Sequence, residues 1–277
     1  MSSSGVRRIV AITNAFIILV NILGQAFPLA FPLGLPMPIS KYTREFYEYV
    51  MAAAEKPDPI AFLDLSYTIG LHTLTQNEIV QYLTQIGIKW VGYSASTSAQ
   101  SIIVDLIEKL KEWYPDKTYG VDYVFLGFIP GEPDIRAALL ATNLDSITVD
   151  YKGTPRSQLP LLQRVHDRTD FDLFIACFDA FFVWARWWPS TPDCPSMVLI
   201  RSDSWPDFLS YYPKTFAAGL NAPTCCAEWE ALTGIRGGAI AFSDGLSIVL
   251  IWTVLIIIGE NIVEYYYKRS RWKKSGG

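Results

Sequence analysis

Residues 59–67 read PIAFLDLSY, residues 75–86 read TQNEIVQYLTQI and residues 88–93 read IKWVGY. The first and third runs are short and almost wholly apolar, as strands buried on both faces are. The middle run has helical spacing, with Thr75 as the expected N-cap and Gly87 as the expected stop. A strand, a helix and a second strand in that order form a right-handed crossover between parallel neighbours. This unit decides the fold.

The pattern continues on both sides. Ser98–Trp113 carries apolar residues at 102, 103, 106, 107 and 110, a helical stripe. Tyr123–Phe128 (YVFLGF) reads as a third strand, and a helix is expected from near Asp134. Asp172–Cys177 (DLFIAC) and Ser196–Arg201 (SMVLIR) are two more short apolar runs, and residues 41–56 upstream read as an amphipathic helix. Strands alternating with helices predict an α/β fold, a mostly parallel sheet flanked by helices on both faces.

The ends of the chain have a different character. IVAITNAFIILVNILGQAF (9–27) follows Arg7 and Arg8, and LSIVLIWTVLIIIG (246–259) continues to Tyr267 before Lys268, Arg269, Arg271, Lys273 and Lys274. About 20 helical residues cross a bilayer, so one transmembrane helix is expected at each end. Basic flanks favour the cytoplasmic side. The expected organisation is a cytoplasmic tail (1–8), a first span (9–27), a proline-rich connector (28–40), a periplasmic or extracellular α/β domain (41–240), a second span (241–267) and a basic cytoplasmic tail (268–277). A cleaved signal peptide fits 9–27 less well, because the apolar run exceeds a typical h-region and lacks a small-residue cleavage site.

Half of the 277 residues, 51%, are hydrophobic, and the net charge of −4 conceals a middle section, residues 9–243, of charge −8. So acidic a body argues against nucleic acid or anionic lipid as its partner. Cys177, Cys194, Cys225 and Cys226 match no zinc spacing. They fit either a Cys177–Cys194 bridge or buried thiols.

Tyr119-Gly-Val-Asp-Tyr123, Leu126-Gly127-Phe128, Pro130-Gly131, Val149-Asp150-Tyr151 with Gly153, Leu159-Pro160, Asp170-Phe171-Asp172 and Ala227-Glu228-Trp229-Glu230 form an ordered set of short motifs. In that order the chain resembles a poorly characterised prokaryotic family of membrane-anchored, Rossmann-like α/β proteins. The resemblance implies an α/β domain followed by a C-terminal anchor, and it brings no activity. The chain departs from the family's pattern at Asn221–Cys226, where a glycine-rich turn is expected.

Ligands of doubly wound sheets sit beyond the carboxyl ends of the strands. There, Ser94, Ser96, Thr97 and Ser98 between a strand and a helix, together with Gly131, are the candidate anion- or sugar-binding residues, with helix capping as the plain alternative. Neither GxGxxG nor GxxxxGK[ST] occurs where a nucleotide would need it, and no cofactor or metal is expected. Ser66 with His72 and an aspartate, or Cys177, are the catalytic candidates, without the support of a G-x-S-x-G elbow. In the aromatic run 178–188, Trp184, Trp187 and Trp188 are candidates for a partner or bilayer interface. Asn14, Asn21 and Gln25 form an amide stripe on the first apolar run, and Glu260 and Glu264 lie in the second; both sets suit contacts between membrane helices.

These features favour a non-catalytic accessory subunit of a larger membrane complex, in contact with integral membrane protein subunits and the lipid bilayer. A periplasmic or extracellular small-ligand sensor is the second reading, and a membrane-anchored hydrolase using Ser66 or Cys177 the third.

Overall fold

The computed structural model describes residues 12, 14–16, 18–19 and 38–275, apart from 179, 223 and 236. The chain divides into two compact units, Met37–Ala239 and the pair of ends Met1–Pro36 with Ile240–Gly277.

In the first unit, helix α1 (Lys41–Ala54) starts at Ser40, whose side chain accepts from the Thr43 N–H at 3.3 Å. It buries Thr43, Phe46, Val50 and Ala53, one stripe at helical spacing. Strand β1 (Ile60–Leu65) is buried at all six positions. Helix α2 (Leu71–Ile86) begins earlier than the sequence suggests, with Gly70 rather than Thr75 at its N-cap; Thr75 is a buried interior residue. It ends as expected at Gly87, where φ of 87° lets the Ile88 N–H reach back to the Leu83 carbonyl at 2.9 Å.

Strand β2 (Lys89–Ser94), helix α3 (Thr97–Trp113), strand β3 (Tyr123–Phe128) and helix α4 (Pro133–Thr142) complete one half of the sheet with its crossovers. Four 3₁₀ turns lead to β4 (Leu173–Cys177), the short helix α5 (Phe182–Trp187), β5 (Ser196–Arg201), the short helix α6 (Trp205–Leu209), β6 (Ala218–Ala222) and α7 (Thr224–Thr233). The strand order is β3-β2-β1-β4-β5-β6, and every pairing is parallel. This is the order of a doubly wound nucleotide-binding sheet, and it reverses between β1 and β4. Strand β6 is an addition to the sequence reading. Its AGLNA sequence has small residues in place of a β-branched run, and Gly219 lies against the Phe208 ring, where a Cβ would come within 2.7 Å.

On one face of the sheet, Phe62, Phe174 and Trp188 stack, with ring centroids 4.7–4.9 Å apart around Trp188. On the other, Trp229 of α7 meets Phe46 of α1 and Tyr82 of α2 edge-on, both at 5.5 Å. All four cysteines are buried and none is in a disulfide, so Cys177 and Cys194 form no bridge.

In the second unit, helix α8 (Ala239–Ser275) has 37 residues, and over Ala239–Ile262 it is long and apolar enough to cross a membrane. The expected first span, 9–27, and the connector lie largely outside the described residues, as do Asn21 and Gln25. Within that span Ile12, Asn14–Phe16, Ile18 and Leu19 are helical and exposed.

Candidate functional site

The reversal between β1 and β4 brings the carboxyl ends of β1, β2 and β4 together. Asp64 is the Cα partner of both Tyr93 and Ala176 and is fully buried. A carboxylate here needs donors, since a charge taken out of water without them costs several kcal/mol. Three side chains supply them: Tyr93 Oη at 2.8 Å, Trp184 Nε1 at 2.9 Å, and the Ser66 hydroxyl. Ser66 Oγ in turn accepts from the Ala95 N–H at 2.9 Å. Arg136 is buried beside this group, with its guanidinium carbon 6.0 Å from the Tyr93 ring centre. Its Nη1 donates to the carbonyls of Gly131 (2.8 Å) and Ile129 (3.4 Å).

Burial raises the Asp64 pKa to about 6, even though the three donors and the nearby Arg136 favour its charged form. Burial, and then the Asp64 charge, push Tyr93 well above the usual phenol range. Chemically the cluster is a proton-binding carboxyl sealed beneath an indole and a phenol.

The candidates from the sequence fall around it. The Ser66 hydroxyl donates its hydrogen bond to Asp64 directly, without an imidazole between them, while the His72 ring packs on Tyr67, with centroids 4.4 Å apart. Cys177 ends β4 and is fully buried; desolvation, and then the Asp64 charge, hold its thiol well above the ordinary value. Such a sulfur is protonated at neutral pH and is a poor nucleophile. Ser94 is buried, and its hydroxyl donates to the Ser96 carbonyl (2.8 Å) and accepts from the Ser96 N–H (3.0 Å). Ser96 is the N-cap of α3, with no side-chain cap bond, and Thr97 and Ser98 are exposed. Gly131 is exposed, with φ of 125°. The shallow cleft lined by Thr84, Gly87, Lys89, Lys117 and Asp122 opens at the amino ends of β2 and β3, at the opposite edge of the sheet from Asp64.

The tryptophan assignment needs correction. Trp184 and Trp188 are each 1% exposed and belong to the core, so neither is available to a partner or a bilayer. Trp187 is half-buried, donating from Nε1 to Asp134 at 2.8 Å, with Arg186 over its ring at 4.8 Å. Phe182 is the ring of this run that faces solvent, at 56% exposure. The helix is short, and Trp188 leaves it with φ of −137°, which turns the last indole back under the sheet.

Large apolar side chains do reach solvent at the carboxyl edge. Ile69 (76%) lies between β1 and α2, Leu74 (41%) in the first turn of α2, Ile135 (69%) in the first turn of α4, and Phe182 opens α5. Each follows the carboxyl end of a parallel strand, so all four rim the same edge. In α8, Glu260 is exposed and Asn261 Nδ2 donates to the Ile257 carbonyl at 2.7 Å; at Glu264 only the backbone is described.

Asp64 was legible as an anomaly, an acid inside an otherwise apolar strand. Tyr93, Arg136 and Trp184 as its companions were not, because they come from three other segments. Among the described residues no group of three or more His, Cys, Asp or Glu is placed to hold a metal ion. No family model, curated protein or solved structure matches the chain.

Proposed function

We propose that the protein is a non-catalytic, membrane-held docking subunit that binds an integral membrane protein partner through the carboxyl edge of its sheet. One observation carries this reading: the place where a doubly wound sheet takes its ligand is closed by the protein's own Trp184 and Tyr93 over Asp64, while Ile69, Leu74, Ile135 and Phe182 stand exposed around it. Apolar side chains rimmed by polar residues mark association surfaces. The partner is a membrane protein because α8, with Leu250, Ile251, Val254, Leu255, Ile257 and Ile258 exposed, holds this chain in the same bilayer. The basic residues from Lys268 to Lys274 favour a cytoplasmic C-terminus and so support a sheet on the opposite side of the membrane.

The test uses Ile69→Cys and Phe182→Cys in native membranes with a short thiol crosslinker. The four natural cysteines are buried and leave the background low. A discrete adduct to one membrane protein is expected from both positions. A lone monomer in mild detergent, with no adduct from either cysteine, overturns the proposal.

A further inference from the structure

We propose that Glu78 and Glu230 form a proton-operated latch on the segment of chain that leads into α8. Glu78 lies on the inward stripe of α2 with Thr75, Ile79 and Tyr82, and is 3% exposed; Glu230, in α7, is 2% exposed. Both turn toward the loop 234–238. Glu230 Oε1 accepts from the N–H groups of Gly237 (2.9 Å) and Ala239 (2.5 Å), and Ala239 is the first residue of α8. Its charge therefore sits where a helix N-terminus favours an anion. The Glu78 carboxyl lies flat against Gly237, so close that a Cβ there would meet Oε1 at 1.7 Å. Among the described residues neither Glu78 oxygen has a hydrogen-bond partner.

Two adjacent carboxyls shut away from water cannot both be ionised. Among the described residues Glu230 accepts from two N–H groups and Glu78 from none, so Glu78 keeps the proton. Burial first, and the Glu230 charge second, hold Glu78 well above the ordinary carboxyl range. Among the described residues, Cys226 of α7 is a titratable group that faces both carboxyls, itself buried and held as the neutral thiol by desolvation. The loop also contains Arg236, which is outside the described residues. Loss of the Glu78 proton sets two negative charges against each other in a closed space. The loop beside them, built around Gly234, Gly237 and Gly238, is the element free to move away and relieve the repulsion. The latch is therefore closed when Glu78 is protonated and opens as pH rises, and this holds whether or not the carboxyl edge binds a partner.

Hydrogen exchange at 234–239, read by mass spectrometry on the full chain in detergent and corrected at each pH for intrinsic amide rates, tests the latch. A folded-state pKa above the ordinary value of 4.5 means that opening becomes easier from that pH upward, by up to tenfold per pH unit, until Glu78 ionises. Glu78→Gln, which cannot ionise, is expected to stay closed with no slope. A flat wild-type profile above pH 4.5 overturns the proposal without recourse to any variant. So does a Glu78→Gln profile that keeps the slope, or an Arg236→Gln profile that loses it while Glu78→Gln retains it.

Discussion

Trp184 donates its indole N–H to the carboxylate of Asp64 at 2.9 Å, across 120 positions of sequence. This bond joins the aromatic segment after β4 to the end of β1, and with Tyr93 and Ser66 it closes the switch point. Trp184→Phe removes the donor and, because phenyl is smaller than indole, gives up part of the contacts with Phe174 and Trp188. A hydrogen bond to a charged group contributes about 1.5–3 kcal/mol, so the variant is expected to lose at least that much stability at pH 7, as measured by urea unfolding. It also moves the Asp64 titration to still higher pH.

Asp64 gives the body a pH dependence of defined sign. Its folded pKa of about 6 lies above the ordinary 3.8, so the folded state binds the proton more tightly than the unfolded one. The stability this contributes is fully present below pH 3.8 and is lost as pH rises through about 6. The loss is about 3 kcal/mol for a fully buried group with this displacement. Asp64→Asn removes it, and unfolding midpoints recorded from pH 4 to 7 for the two proteins are expected to converge or cross rather than run parallel.

Glu228 anchors α1 to α7. Its Oε2 accepts from Ser40 N (3.0 Å), Ser40 Oγ (2.7 Å) and Thr43 Oγ1 (2.5 Å), all at the start of α1. Glu228→Ala leaves these donors without their acceptor in a buried place, at a cost of about 2–4 kcal/mol. Faster amide exchange confined to residues 40–54 is the signature expected by mass spectrometry; uniform loosening of the sheet contradicts it.

Gly127 has φ of 88° in β3, where the register against β2 shifts, and a Cβ there would meet Tyr151 Cβ at 3.0 Å and its Cα at 3.2 Å. Gly127→Ala carries both backbone strain and a clash with main chain. A loss of about 1–3 kcal/mol is expected from thermal unfolding, while Gly131→Ala, with open space at the Cβ position, pays for its backbone alone.

The apolar face of α8 makes a separate prediction. Leu255 is 54% exposed well inside the apolar stretch Ala239–Ile262. An arginine at the centre of a membrane helix costs about 2.5–3.5 kcal/mol of insertion. Leu255→Arg is therefore expected to raise the fraction released from membranes by alkaline carbonate, with Leu255→Val unchanged.

Five of the six strands were legible because each is a short apolar run with polar boundaries. Strand β6 was hidden because Ala218–Ala222 is small rather than β-branched, its close fit being set by Phe208 from another segment. The outward direction expected for Trp184 and Trp188 rested on the density of rings in 178–188 and on the amphipathic character of the indole. Tertiary geometry overrode it by ending α5 at Trp187 and turning the chain. For the candidate site, strand ends named the neighbourhood and Ser66, while Asp64 entered only as a possible partner of Ser66 and His72. Which side chains neutralise it depends on crossovers that no local pattern encodes. Glu78 was likewise readable as an acid on the apolar stripe of its helix, but its pairing with Glu230 was not.

The strand order also constrains how the body is made. β1 occupies the middle of the sheet, yet its neighbour β4 is translated more than 100 residues later: Ala61 pairs with Leu173. Closing so long a loop must precede the contacts that reward it, which slows assembly. Because β6 ends at Ala222 and α8 begins at Ala239, the sheet cannot be complete until the ribosome is about to release the apolar helix. Completion of the sheet and synthesis of the long apolar helix are thus nearly simultaneous events, and a chaperone that shields the unfinished β1–β2–β3 half during synthesis would be put to full use.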